Sequence, residues 1–105
     1  MSKCKQWHRA LPPEDVPQGE VRKVFVEDIP IAVYHIGDAF YATHNTCTHD
    51  MIGLCEGYIE GETIECPAHQ AVFHIPSGKV LKAPAKTDLQ VFPVRVNDGM
   101  IEVEV

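Results

Sequence analysis

The sequence predicts an all-β domain, an antiparallel β-sandwich or small barrel with a hairpin-containing subdomain set into it. Three observations lead there. Apolar stretches are short, rich in Val, Ile, Phe and Tyr, and broken every few residues by Gly, Pro, Asp or Asn. No window of about 11 residues carries a helical period. Tight-turn signals join neighbouring stretches, the strongest being Asn97-Asp98-Gly99.

Taken in order, Trp7-His8-Arg9-Ala10-Leu11 reads as a first strand, and Pro12, Pro13, Pro17 and Gly19 mark the loop after it. Glu20 to Val26 is a second strand, interrupted at Asp28-Ile29-Pro30. Ile31 to Ile36 and Ala39 to Thr43 pair across a Gly37-Asp38 turn. A loop containing Gly53 and Gly57 leads into Tyr58 to Glu65, a tight hairpin with Gly61 in its turn, which ends directly at Cys66. Val72 to Ile75 is a short strand, Pro76-Ser77-Gly78 a turn and Ala83-Pro84-Ala85 a rigid loop. Gln90 to Val96, with Phe92, Val94 and Val96 on one face, and Ile101 to Val105 close the chain. The alternating Glu102 and Glu104 are read as a solvated strand face.

At 105 residues the chain is sized for one domain with a modest core. Its formal net charge of -6 argues against a nucleic acid partner; it could steer docking onto a basic protein surface, or serve solubility alone. No stretch approaches 18 consecutive apolar residues, so no membrane-spanning helix is expected. Met1 to Trp7 carries neither an apolar signal core nor a twin arginine, from which a cytoplasmic location is expected. In a chain without a secretory signal, the four cysteines are expected as thiols, and metal binding takes precedence over disulfides.

The chemistry concentrates between Cys47 and His69. Cys47-Thr48-His49 is followed, after sixteen residues, by Cys66-Pro67-Ala68-His69. Each pair offers one thiolate and one imidazole from a single loop. Such a donor set suits a [2Fe-2S] centre in which two Cys hold one iron and two His the other. Replacing two anionic ligands by neutral imidazoles lowers the cost of adding an electron. The competing reading is a Cys₂His₂ zinc site. Common zinc fingers pair Cys with Cys and place the His pair on a helix, whereas these pairs are mixed and lie among strands.

The C-x-H and C-x-x-H segments resemble the Rieske signature. The flanking Tyr41-Ala42-Thr43, Gly57-Tyr58-Ile59-Glu60-Gly61, Ser77-Gly78-Lys79-Val80 and Phe92-Pro93-Val94 extend the resemblance over nearly the whole chain. The chain looks like a Rieske-type ferredoxin of bacterial aromatic ring-hydroxylating dioxygenase systems. That resemblance implies a single Rieske domain over residues 1–105, with a cluster-binding subdomain at about 45–84. It implies one [2Fe-2S] cluster, with Cys47 and Cys66 on one iron and His49 and His69 on the other. It also implies a soluble, monomeric one-electron carrier, with no catalytic site of its own, between a flavin-dependent ferredoxin reductase and a terminal Rieske non-haem iron oxygenase. A chain of this length leaves no room for a mononuclear iron domain, and it has no dinucleotide fingerprint. The alternatives are a fixed small subunit of a larger reductase, such as nitrite reductase, and a zinc-stabilised binding module.

Rieske proteins of respiratory complexes carry an extra Cys in each cluster loop, and Ser and Tyr hydroxyls beyond the second pair. Here Ile52 and Ala68 stand at the cysteine positions, and Ala71 and Phe73 at the hydroxyl positions. Hydrogen bonds to sulfur raise the potential, so the resemblance implies a value near the low end of the Rieske range, roughly -150 mV.

The remaining candidates have ordinary readings. Cys55 is expected as a small buried residue and Cys4 has no assigned role. His44 is read as a loop histidine close to the first pair, His74 as a strand residue facing solvent or a hydrogen bond, and His8 and His35 as structural. Trp7 is read as packing, and Gln70 as offering a backbone N–H to the cluster. Pro84 resembles the proline loop beside the cluster in this family.

Overall fold

The computed structural model describes residues 6–45, 57–66, 71–82 and 88–105. Among these are eleven strands and a 3₁₀ turn at Pro13–Asp15. The strands are β1 (Trp7–Leu11), β2 (Val21–Val26), β3 (Ile29–Ile36), β4 (Ala39–His44), β5 (Tyr58–Glu60), β6 (Thr63–Glu65), β7 (Val72–His74), β8 (Val80–Lys82), β9 (Val91–Phe92), β10 (Val94–Asn97) and β11 (Met100–Glu104). They form three antiparallel sheets, ordered β1-β11-β10, β2-β3-β4-β9 and β5-β6-β7-β8.

The β2-β3-β4-β9 sheet packs on both faces. Strand β3 shows why: Ile31, Ala32, Val33 and Tyr34 are all fully buried, with none of the alternation expected of a half-solvated strand. Successive residues point to opposite faces. Ile31 and Val33 therefore join Val26, Ala42 and Phe92 against Leu11, Ile101 and Val103 of the β1-β11-β10 sheet. Ala32 and Tyr34, with Val21, join Ile64, Cys66, Ala71, Phe73 and Ile75 of the β5–β8 side. Two cores thus share one central sheet.

Turn chemistry sets the registers. Glu27 and Asp28 both take positive φ (52° and 66°), as a type I′ hairpin requires, joining β2 to β3. The expected interruption at Asp28-Ile29-Pro30 is therefore a two-residue turn, and Pro30 is the second residue of β3, opposite Phe25. Asp98 and Gly99 repeat the pattern between β10 and β11. The expected single strand from Gln90 to Val96 divides at Pro93, which cannot donate to a ladder. Before it, β9 pairs with β4; after it, β10 pairs with β11. The shared face does not hold: Phe92 is buried while Val96, on a strand paired on one side only, is exposed.

A second correction falls on Glu102. It sits between Arg9 and Arg95 in register and is buried, its Oε1 accepting from Arg95 Nε at 2.7 Å. The hydrogen bond from Arg95 holds its carboxyl below the ordinary value of 4.5 against the opposing effect of burial. The charge of Arg95, a bond from Asn97 and the charge of Arg9 act in the same direction as that bond. The same guanidinium lies 4.3 Å above the Trp7 ring, so Trp7 is a packing residue, as expected.

Candidate metal centre

The β5-β6 hairpin ends on Cys66 because its turn and register leave no slack. Gly61 takes the positive φ (61°) of the turn, Glu60 faces Thr63, and Tyr58 faces Glu65. Thr63 Oγ1 donates to the Glu60 carbonyl at 2.7 Å. Strand β6 then pairs on its other side with β7, Ile64 opposite Phe73 and Glu65 opposite Val72. One rung further on, the Cys66 N–H donates to the Ala71 carbonyl at 2.7 Å. Cys66 and Ala71 thus face each other on one rung.

Cys66 is a free thiol with no solvent exposure. The buried cluster it belongs to includes Ile64, Ala71, Phe73, Ile75 and Tyr34, whose hydroxyl lies 2.8 Å from Thr43 Oγ1. Ala71 and Phe73, also fully buried, bring no hydroxyl to this wall, as expected from the sequence. Of the four expected ligands, Cys66 is therefore placed, while Cys47, His49 and His69 lie outside the described residues, as do Cys4, Ile52, Cys55, Ala68, Gln70 and Pro84. Among the described residues no three metal-type side chains converge.

The residues present fit a Rieske cluster. Cys66 is not bridged to another cysteine, and a bound iron would itself deprotonate the thiol that coordinates it. With the other donors expected from the sequence, Cys47, His49 and His69, Cys66 would make two thiolates and two imidazoles.

The neighbouring histidines are placed as follows. His44 is half-buried at the end of β4, its N–H donating to the Gln90 carbonyl at 2.9 Å. His74 meets hydrogen-bond partners, with Nδ1 2.7 Å from Ser77 Oγ and Nε2 3.4 Å from Glu62 Oε1. His35 is structural: its Nδ1 lies 2.8 Å from the Val16 carbonyl and its ring stacks on Phe40 at 4.2 Å. Sequence reasoning missed Tyr34, Thr43 and Asn45. All three are buried around the exit of β4, four residues or fewer from Cys47 except for Tyr34, which reaches Thr43 across the sheet. Their signal was thin: a Tyr in a strand and a Thr beside a His.

Three antiparallel sheets, with a hairpin that ends on a buried thiol, define a small all-β domain, and the C-x-H and C-x-x-H segments of its sequence point to an iron–sulfur one. The chain belongs to the Rieske [2Fe-2S] domain family, which matches residues 6–93, and its cofactor is one [2Fe-2S] cluster. It is 40% identical over 98 residues to the ferredoxin CarAc of Metapseudomonas resinovorans, covering 92% of each chain. Among solved structures, it resembles a chain of the complex of reduced oxygenase and oxidized ferredoxin in carbazole 1,9a-dioxygenase (TM-score 0.86, 40% identity, 92% of this chain and 91% of that one). It also resembles the ferredoxin of Sphingomonas yanoikuyae B1 (TM-score 0.90, 31% identity, 95% and 99%).

Proposed function

We propose that this chain is the ferredoxin component of an aromatic ring-hydroxylating dioxygenase system. It takes electrons from an NAD(P)H-dependent flavin reductase and hands them, one at a time, to a terminal oxygenase. It acts as a cytoplasmic monomer and catalyses no ring chemistry itself. In this reading residues 1–105 are one domain, and about 45–84 form its cluster-binding part. Cys47 and Cys66 hold one iron, and His49 and His69 the other.

The observation that carries the reading is the extent of the likeness: identity of 40% runs along 92% of both this chain and a ferredoxin. The cluster, when bound, takes up and releases a single electron. The chain's own residues set the terms of that step. Cys66 is fully buried in the cluster that also holds Ile64 and Phe73, so water is kept from its side chain. The Cys66 N–H is committed to the Ala71 carbonyl. Ala71 and Phe73 offer sulfur no hydroxyl donor, which favours a low potential.

The test is a visible spectrum of the purified protein during stepwise reduction, followed by electron delivery from a flavin reductase to an oxygenase component. One-electron bleaching at low potential, with transfer to the oxygenase, is the expected outcome. Bleaching at a potential above about +100 mV would move the protein to another electron-transfer chain. A colourless protein with stoichiometric zinc would remove the redox role.

A further inference from the structure

The core that buries Cys66 also buries the hydroxyl of Tyr34, the largest fully buried side chain of the described residues. That hydroxyl lies 2.8 Å from Thr43 Oγ1, and Thr43 is itself fully buried. The direction of the bond follows from proton counting. Thr43 has one hydroxyl proton and donates it to the His44 carbonyl at 3.0 Å. Tyr34 is therefore the donor to Thr43. The result is a directed chain, Tyr34 O–H to Thr43 Oγ1–H to the His44 carbonyl, in a dry environment where such bonds polarise one another.

Two further bonds meet at the same place. The His44 N–H donates to the Gln90 carbonyl at 2.9 Å, and the Asn45 N–H donates to the Pro30 carbonyl at 2.9 Å. The exit of β4 is thus held against β3 and against the Gln90 segment, with the Tyr34 ring as the link to the core around Cys66. Cys47 follows Asn45 by two residues in the sequence.

We propose that Tyr34 and Thr43 are positioning residues for the cluster. Their buried hydroxyl pair fixes the end of the strand that leads to Cys47 and His49 relative to the core that holds Cys66. This inference rests on the ligand reading given above. A Phe at 34 would fill the same space, so the hydroxyl is what the assignment concerns.

The experiment compares Tyr34→Phe, Thr43→Val, Thr43→Ser and the double variant Tyr34→Phe/Thr43→Val. Iron and sulfide content, midpoint potential, electron paramagnetic resonance g-values of the reduced protein and thermal midpoint are measured for each. The expected result is that Tyr34→Phe and Thr43→Val move potential and g-values in the same sense. Thr43→Ser stays at the native values, and the double variant moves no further than the larger single change, as coupled residues do. Loss of the cluster from a variant whose far-ultraviolet circular dichroism stays native also supports the assignment. Native potential and g-values in both Tyr34→Phe and Thr43→Val, whatever their thermal midpoints, overturn it, because the pair then serves stability alone. Unfolding of both variants overturns it for the same reason. Cys66→Ser serves as the control for the underlying reading. A native spectrum in that variant defeats the ligand assignment, whereas loss of its spectrum beside unchanged Tyr34→Phe and Thr43→Val defeats only the positioning role.

Discussion

Ala71 occupies the rung opposite Cys66, fully buried, with its carbonyl on the Cys66 N–H. A hydroxyl introduced there would stand on the same rung as the cysteine and within the same buried cluster. Ala71→Ser should therefore raise the reduction midpoint, by on the order of 50 mV, about a tenth of the span of Rieske potentials. Protein-film voltammetry would read it, and an unchanged or lowered midpoint would count against the account of the low value. Glu102 supplies a second prediction at this scale. Its folded pKa lies below the unfolded one, so its contribution is present above about 4.5 and is lost as pH falls through the folded value. Thermal midpoints measured from pH 6 down to pH 3 should fall for the native chain. Glu102→Gln should flatten part of that fall while lowering the midpoint near neutrality.

At the scale of elements, the Pro76–Lys79 turn is where the β5–β8 sheet is fastened to the segment that leads into β9. The Gly78 carbonyl accepts the Leu89 N–H at 2.7 Å, and Asp88 Oδ1 accepts the Val80 N–H at 2.9 Å. Gly78 takes a φ of 76°, and an added Cβ would lie 2.4 Å from the Leu89 carbonyl oxygen and 2.8 Å from Val91 Cγ1. Both backbone strain and collision oppose a side chain there. Gly78→Ala should cost at least about 2 kcal/mol in urea unfolding, given roughly 1–2 kcal/mol for the left-handed backbone alone. A loss under about 0.5 kcal/mol, the range of an ordinary surface change, would show that the turn can shift without harm.

On the scale of the whole molecule, two cores meet at one central sheet, and Cys66, the proposed cluster thiol, belongs to only one of them. Because ligand binding is coupled to folding, Cys66→Ser should abolish the visible bands and lower the thermal midpoint, with the largest loss of amide protection on β5–β8. Full retention of iron and sulfide would show that Cys66 is no ligand. The net charge of -6 acts at longer range. Association with a basic face of the oxygenase should slow by about tenfold between roughly 0.01 and 0.15 M salt, as the Debye length shrinks from about 30 to about 8 Å. Stopped-flow kinetics would measure this, and salt-independent association would exclude electrostatic steering.

Much of this protein was legible before its fold. The hairpins at Gly37-Asp38, Gly61 and Asp98-Gly99 follow from local backbone chemistry, and each stands where the residues place it. The Cys and His spacing names the cluster because ligand type and loop length are local properties. What local pattern could not carry was the third layer. A strand covered on both faces, such as β3, shows no alternation to read, and Pro93 says only that a strand stops, not that the chain changes sheets. Glu102 reads as a solvated carboxylate until β1 and β10 bring Arg9 and Arg95 to either side of it. Tyr34 and Thr43 are nine residues apart and chemically unremarked until the β3–β4 register sets one hydroxyl upon the other. Residue chemistry and turns are written along the chain, whereas burial and pairing belong to residues that only folding makes neighbours.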